Sequence, residues 1–195
     1  IMAAMASKTG TVGVIPAFNF ALLEAFACGY KQGVLSVNPN AKVLWNYVGT
    51  EFAAFNDVAK ATEVANTQID QGADVVFAVA GGAGNGVLQA AADRGVLSIG
   101  VDQNQNYMHP GSVLTSMQKR VDVATYDALK EFSAGAWNVE YKKVGVAEGA
   151  VGPSFDENNA PLVTPEMKAA VDEATAKIIS GEIVVHDFRT DNACP

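Results

Sequence analysis

Asp74-Val75-Val76-Phe77-Ala78-Val79-Ala80-Gly81-Gly82-Ala83-Gly84-Asn85-Gly86 is the stretch whose reading decides the fold. An apolar run enters a glycine-rich turn. A small-residue helix, Val87 to Ala92, follows at once, and a second apolar run, Leu97 to Val101, ends in Asp102. Strand, tight loop, helix and strand in this order make a parallel βαβ unit. In such units the loops after the carboxyl ends of the strands form the ligand crevice. Gly81, Gly82 and Asp102 are therefore expected on one rim.

Working outward, the same alternation recurs on both sides. Thr11 to Ile15 reads as a strand, Pro16-Ala17-Phe18-Asn19 as a turn, and the next helix carries Leu23, Phe26, Ala27 and Tyr30 on one face. Gly29 and Gly33 lie on a neighbouring stripe that would let this helix approach a sheet. Lys42 to Val48 is the next strand. A polar and aromatic loop with Phe52 and Phe55 follows, and Asn56 or Asp57 caps a helix with Val58, Ala61, Ala65 and Ile69 inward. Beyond Asp102, a polar loop from Gln103 to Gly111 precedes a strand over Ser112–Met117, then Lys119 and Arg120. Val121 to Phe132 reads as a helix and Lys143 to Ala147 as a strand. Gly152 to Val163 reads as irregular. Thr164-Pro165-Glu166 starts a helix with Met167, Ala170, Val171, Ala174 and Ile178 inward, and Gly181 closes it. Ile183 to Phe188 reads as a last strand. The expected fold class is α/β: an open, mainly parallel sheet flanked by helices.

Bulk properties narrow the function. Of 195 residues, 49% are hydrophobic and 17% charged, so the chain folds around a core. A net charge of −8 without a basic cluster argues against nucleic acid and anionic membrane surfaces as partners. The two cysteines, Cys28 and Cys194, read most simply as a buried thiol and an incidental one; a disulfide would need an oxidising compartment and a tail that returns to the first long helix. No stretch is apolar enough to span a bilayer. The first ten residues look like the last turns of a helix ending at Gly10 rather than a signal peptide, so a preceding segment is expected.

Catalytic chemistry finds little support. There is no Gly-x-Ser-x-Gly, no phosphate-binding P-loop and no Cys/His metal spacing. His109 and His186 read as surface or satisfied histidines. Gly82-Ala83-Gly84-Asn85-Gly86 invites a dinucleotide reading, but Val87 stands where the third fingerprint glycine belongs. The remaining readings of the glycines are steric necessity or a backbone that faces a ligand. Asp102 and Lys119 both lie on the rim and would form a buried charged pair that holds vicinal hydroxyls. Their plainer readings are a helix cap or turn residue and a solvated surface lysine. Phe52 or Phe55 would stack on a flat ring, or else simply pack the loop onto its helix.

The order of motifs carries a resemblance. Gly10-Thr11-Val12-Gly13-Val14-Ile15, Gly29-Tyr30-Lys31-Gln32-Gly33 with Asn38-Pro39, Tyr47-Val48-Gly49 with Asn56-Asp57-Val58-Ala59-Lys60, and Gln71-Gly72-Ala73-Asp74-Val75-Val76 resemble the basic membrane protein family. So do Ala80 to Gly86, Ile99-Gly100-Val101-Asp102-Gln103 and Leu114 to Arg120. Its members are substrate-binding lipoproteins of ABC transporters, including a purine nucleoside receptor. The resemblance implies a type I periplasmic-binding fold: two α/β lobes closing over a nucleoside or nucleobase. It implies no cofactor, no enzymatic activity, a permease partner, a lipid anchor on the N-terminal part, and a periplasmic or cell-surface location. Phe55 would stack on the base with Phe52 as its understudy, and Gly81, Asp102 and Lys119 would hold the ribose. Members carry a long further stretch before the equivalent of Ile1, which builds most of the N-terminal lobe. Residues 8–120 are therefore expected to form the C-terminal ligand-binding lobe, 121–149 a segment crossing to the other lobe, and 150–195 a return segment with the C-terminal helix. The loop from Thr50 to Phe55 is longer than usual for the family, and Pro16-Ala17 stands where glycine is frequent. A sugar or other small polar ligand on the same fold, and a ligand-sensing regulatory domain, are the alternatives.

Overall fold

A computed structural model describes residues 1–195. Six strands form one sheet: β1 (Thr11–Pro16), β2 (Lys42–Trp45), β3 (Val75–Val79), β4 (Leu97–Asp102), β5 (Val113–Lys119) and β6 (Val151–Pro153), in the order β2-β1-β3-β4-β5-β6. The first five run parallel, and β6 is antiparallel to β5. All five residues of β3 are buried, as a central parallel strand covered on both faces requires.

The helices are α1 (Met2–Ala6), α2 (Ala21–Val37), α3 (Val58–Asp70), α4 (Gly84–Asp93), α5 (Val121–Ser133) and α6 (Pro165–Ser180). Right-handed crossovers put α2 on one face of the sheet and α3 with α4 on the other, because the chain first moves left to β2 and then right to β3 and β4. α1 packs on α2, and α6 reaches α1. No helix is long and apolar enough to cross a membrane.

The local signals act as expected. The Asp57 carboxylate accepts from the Lys60 N–H at 2.9 Å and caps α3, and the Thr164 hydroxyl accepts from Met167 at 3.2 Å and caps α6. Gly181 closes α6 at φ +80°. The N-terminal helix stops at Ala6, earlier than Gly10; the Asp74 carboxylate then gathers the turn, accepting from the Ser7 hydroxyl and the Lys8 and Thr9 N–H groups.

Other expectations are corrected. Cys28 and Cys194 are joined in a disulfide, with Cα atoms 5.5 Å apart, so neither is a free thiol. The tail does return to α2. Ile183–Phe188 is not a strand: the Gln32 side chain brackets it, donating to the His186 carbonyl at 3.2 Å and accepting from the His186 N–H at 3.0 Å. Lys143–Ala147 is not a strand either, because the free edge of β5 is taken by Val151–Pro153, which runs into the stretch Gly152–Val163 expected to be irregular. Gly33 faces the Ile1 backbone, 3.1 Å from where a Cβ would sit, so its close approach is to the N-terminal segment and not to the sheet. Val58 is exposed, and the helix buries Gln68 beside Ala61 and Ala65. On α6 only Met167 is buried, the rest of its apolar stripe being half-covered.

Candidate functional site

The carboxyl ends of β1 to β5 form one rim. Neighbouring strands lie about 4.8 Å apart, so the rim from β2 to β5 spans about 19 Å. Its chemistry changes along that length.

At the β2–β1 end stands a cluster of four phenylalanines. Phe18 and Phe20 follow β1, and Phe52 and Phe55 lie in a 3₁₀ turn, Phe52–Asn56, after β2. Phe18 is buried and is the hub, with ring centroids 5.6 Å from Phe20, 5.0 Å from Phe52 and 5.6 Å from Phe55. Edge-to-face and offset contacts of this kind are favourable for aromatic quadrupoles. Tyr47 donates to the Glu24 carboxylate at 2.9 Å, which ties the loop after β2 to the first turn of α2. Burial raises the Glu24 carboxyl above its ordinary value, the Tyr47 hydrogen bond opposing the shift, and burial together with Glu24 pushes the Tyr47 phenol up to about 12.

Next along the rim, Phe55 rests on Gly81. A Cβ on Gly81 would lie 3.0 Å from the Phe55 ring, and Gly81 itself has φ +55°. Glycine is required there twice, for conformation and for contact. The remaining glycines of this stretch coil at once into a 3₁₀ turn, Gly81–Ala83, and α4. Gly86 serves packing: a Cβ there would sit 2.4 Å from the Val58 carbonyl on α3. For Gly86 the steric reading of the motif holds.

At the β4–β5 end, Lys119 Nζ lies 2.8 Å from Asp102 Oδ1. The expectation of a buried pair is corrected: the side chains are 46% and 47% exposed, because both project from strand ends into the open crevice. An ion pair so exposed contributes little to folding. Asp102 nevertheless holds φ +68°, a left-handed conformation that costs a non-glycine residue about 1–2 kcal/mol.

The support under Asp102 is a polar network that sequence reading took for an ordinary loop. Gln105 accepts from the Val101 N–H at 2.8 Å, Ser116 Oγ accepts from the Gln105 N–H at 3.0 Å, and Asn106 Oδ1 accepts from the hydroxyls of Ser116 and Ser154. These four side chains are buried. The Asp156 carboxylate accepts from Asn104 at 2.6 Å and from Asn106 at 3.1 Å, and the Asn104 bond, with help from Asn158 and Asn106, holds its carboxyl below the usual range. Gly100 has no room for a Cβ, which would meet Ser116 Oγ at 2.7 Å and Gln105 Oε1 at 2.8 Å. The available signal was the density of Asn, Gln and Ser between two buried strands. Asn106→Ala is expected to lower thermal stability by about 2–3 kcal/mol, since it orphans two buried hydroxyls; an unchanged melting temperature would show that the network is not coupled.

The structure thus joins Phe55 with Gly81, and Asp102 with Lys119, and groups Phe52 with the two rings that sequence reading missed, Phe18 and Phe20. The missed signal was a second aromatic beside the turn after β1. A cavity of about 740 Å³ lies elsewhere, between α2 and α5, with Lys119 at its edge.

This fold defines the class: an open α/β lobe with its ligand crevice at the carboxyl rim. The chain belongs to the Bmp family, "ABC transporter substrate-binding protein PnrA-like", whose model matches residues 1–188. It is 39% identical to Basic membrane protein D of Borreliella burgdorferi over 67% of this chain and 38% of that protein. It is 31% identical to the ABC transporter nucleoside-binding protein BmpA of Lactococcus lactis, over 95% of this chain and 55% of that one. The chain spans about half the length of the curated relatives it matches. Among solved structures, a solute-binding protein of an ABC transporter system from Aeropyrum pernix superposes with TM-score 0.80 at 27% identity, over 95% of this chain and 62% of that one. A transcriptional activator of the comK gene from Bacillus halodurans superposes with TM-score 0.79 at 26% identity, over 95% and 62%. The family resemblance and the fold class read from sequence are borne out.

Proposed function

We propose that this chain forms the ligand-gripping lobe of an ABC-importer binding protein that captures a purine nucleoside or related nucleobase. The observation that carries the reading is the polarity of one rim: a phenyl ring seated on Gly81 above β3, and a strained carboxylate with its lysine at the ends of β4 and β5. The base stacks on Phe55. Asp102 accepts from the ribose hydroxyls and Lys119 donates to their oxygens, about 10 Å away along the rim. The function is capture followed by release to a permease, and no covalent step is needed. The name of the Lactococcus relative supports a nucleoside. The disulfide suits an oxidising compartment, which supports a periplasmic or cell-surface location; a lipid anchor is part of the same proposal. Helix α5 buries none of its residues, which supports assigning 121–149 to a second lobe, with 8–120 as the gripping lobe and 150–195 as the return.

Titration calorimetry of the protein as the cell makes it, with inosine, guanosine and adenosine, tests this. Asp102→Ala is expected to weaken binding by about 2–4 kcal/mol, roughly 30- to 1000-fold, because a charge-assisted bond is lost and Lys119 is left unpaired. Asp102→Gly is expected to lose the same affinity yet keep stability within about 1 kcal/mol of the parent, since φ +68° costs glycine nothing. Near-normal affinity in both variants refutes the site. A ligand-sensing regulatory role is the second reading, favoured by the Bacillus halodurans neighbour's name; recovery of the protein in the cytoplasmic fraction would select it.

A further inference from the structure

Phe20 and Phe52 expose apolar rings at the rim. Phe20 occupies the N-cap of α2, a position where Ser, Thr, Asp or Asn would satisfy a backbone N–H, and it makes no side-chain cap. It is 41% exposed. Phe52 opens the 3₁₀ turn after β2 and is 68% exposed. Their ring centroids lie 6.0 Å apart, and both rest on the buried Phe18. A local rule broken twice at one place, on side chains held in fixed contact, marks a surface kept for a ligand. The place on the rim identifies which part of the ligand. Resting on the reading above, ribose at β4–β5 and base at β3 use about 10 Å of a rim about 19 Å long. The rest, over β1 and β2, is the ledge of Phe20 and Phe52, continuous with Phe55 through a Phe52–Phe55 centroid distance of 6.2 Å. That ledge offers ring faces and edges. It is suited to an apolar group projecting from the far edge of the base.

We infer that Phe20 and Phe52 form a specificity ledge that selects nucleosides or nucleobases bearing an apolar, preferably aromatic, substituent on the base edge opposite the sugar. The phenyl ring of such a substituent stacks on Phe52 and meets the edge of Phe20, while the base keeps its place on Phe55.

The test is a matrix of dissociation constants for adenosine, N6-methyladenosine and N6-benzyladenosine against the parent, Phe52→Ala, Phe20→Ala and Phe55→Ala, with melting temperatures recorded for each. The parent is expected to bind N6-benzyladenosine at least tenfold more tightly than adenosine. Phe52→Ala and Phe20→Ala are expected to bring that ratio to within about threefold of unity, whereas Phe55→Ala weakens all three ligands together. Equal or weaker binding of the benzyl compound by the parent overturns the ledge and leaves nucleoside capture standing. A preference that survives both ledge variants also overturns it. Binding of none of the three, nor of inosine or guanosine, overturns nucleoside capture and the ledge with it. Because Phe52 is largely and Phe20 partly exposed, neither ledge variant should lower the melting temperature by more than a few degrees.

Discussion

Reduction of the Cys28–Cys194 bridge is expected to destabilise the protein by about 2–5 kcal/mol, a fall of roughly 5–15 °C in melting temperature for a chain of this size. The bridge closes a loop spanning a sequence separation of 166 residues, and the entropy that it removes from the unfolded chain grows with loop length. In the folded state it clamps a tail with little core of its own. Gln32 holds the His186 peptide on both sides, Lys31 donates to the Cys194 carbonyl at 3.0 Å, and the turn Phe188–Thr190 packs on α2. Once the covalent tie is broken, these partly solvated bonds must hold the tail alone. Differential scanning calorimetry with and without a phosphine reductant measures the loss, and limited proteolysis should show cleavage within 182–195 only after reduction. Cys194→Ser should match the reduced parent. Two thiols titrating in the untreated folded protein, with no change on reduction, would refute the pairing. Cys28 is fully buried and Cys194 half-buried, so the reductant reaches the bridge from the Cys194 side.

Gly13→Ala is expected to cost about 3–5 kcal/mol, although alanine in a strand ordinarily costs less backbone entropy than glycine. A Cβ at this position would lie 2.0 Å from Gln68 Oε1 and 3.0 Å from its Cδ. Gln68 cannot give way cheaply. It is fully buried on α3, and its amide donates to the carbonyls of Val14 and Leu44 at 3.2 and 3.3 Å and to Asn46 Oδ1 at 2.9 Å. It thereby ties α3 to β1 and to the end of β2, the strands that carry the aromatic part of the rim. Displacing it leaves a buried amide without partners. Gln68→Ala alone is expected to cost about 2 kcal/mol. The double variant should fall short of the sum by at least about 1 kcal/mol, because the clash and the orphaned amide disappear together. Additive losses in urea denaturation would show that the two positions do not meet.

Both cases show where reading along the chain reaches its limit. A glutamine in an amphipathic helix looks like a solvent-facing residue, and its burial depends on a glycine 55 positions earlier in another element. The two cysteines are neutral in composition, and their pairing rests on a tail that returns to α2. Phe55 and Phe52 stood out because they follow an apolar strand, whereas Phe18 reads as a turn residue and Phe20 as the start of the helix after it. Only the adjacency of β2 and β1 makes the four rings one cluster.

What the sequence by itself determined is the α/β alternation, the parallel core, the helix cap at Thr164 and a cap at Asn56 or Asp57, the family, and the rim positions of Gly81, Asp102 and Lys119. These depend on local chemistry: apolar runs, capping side chains, and glycines at turns. Only the tertiary structure decided the disulfide, the short β6 that occupies the free edge of β5, the exposure of the Asp102–Lys119 pair, the buried polar network beneath it and the aromatic ledge. Each of those is a meeting of residues far apart in the chain. Such a meeting is selected by the free energy of packing the whole, and no single segment carries a preference that reveals it.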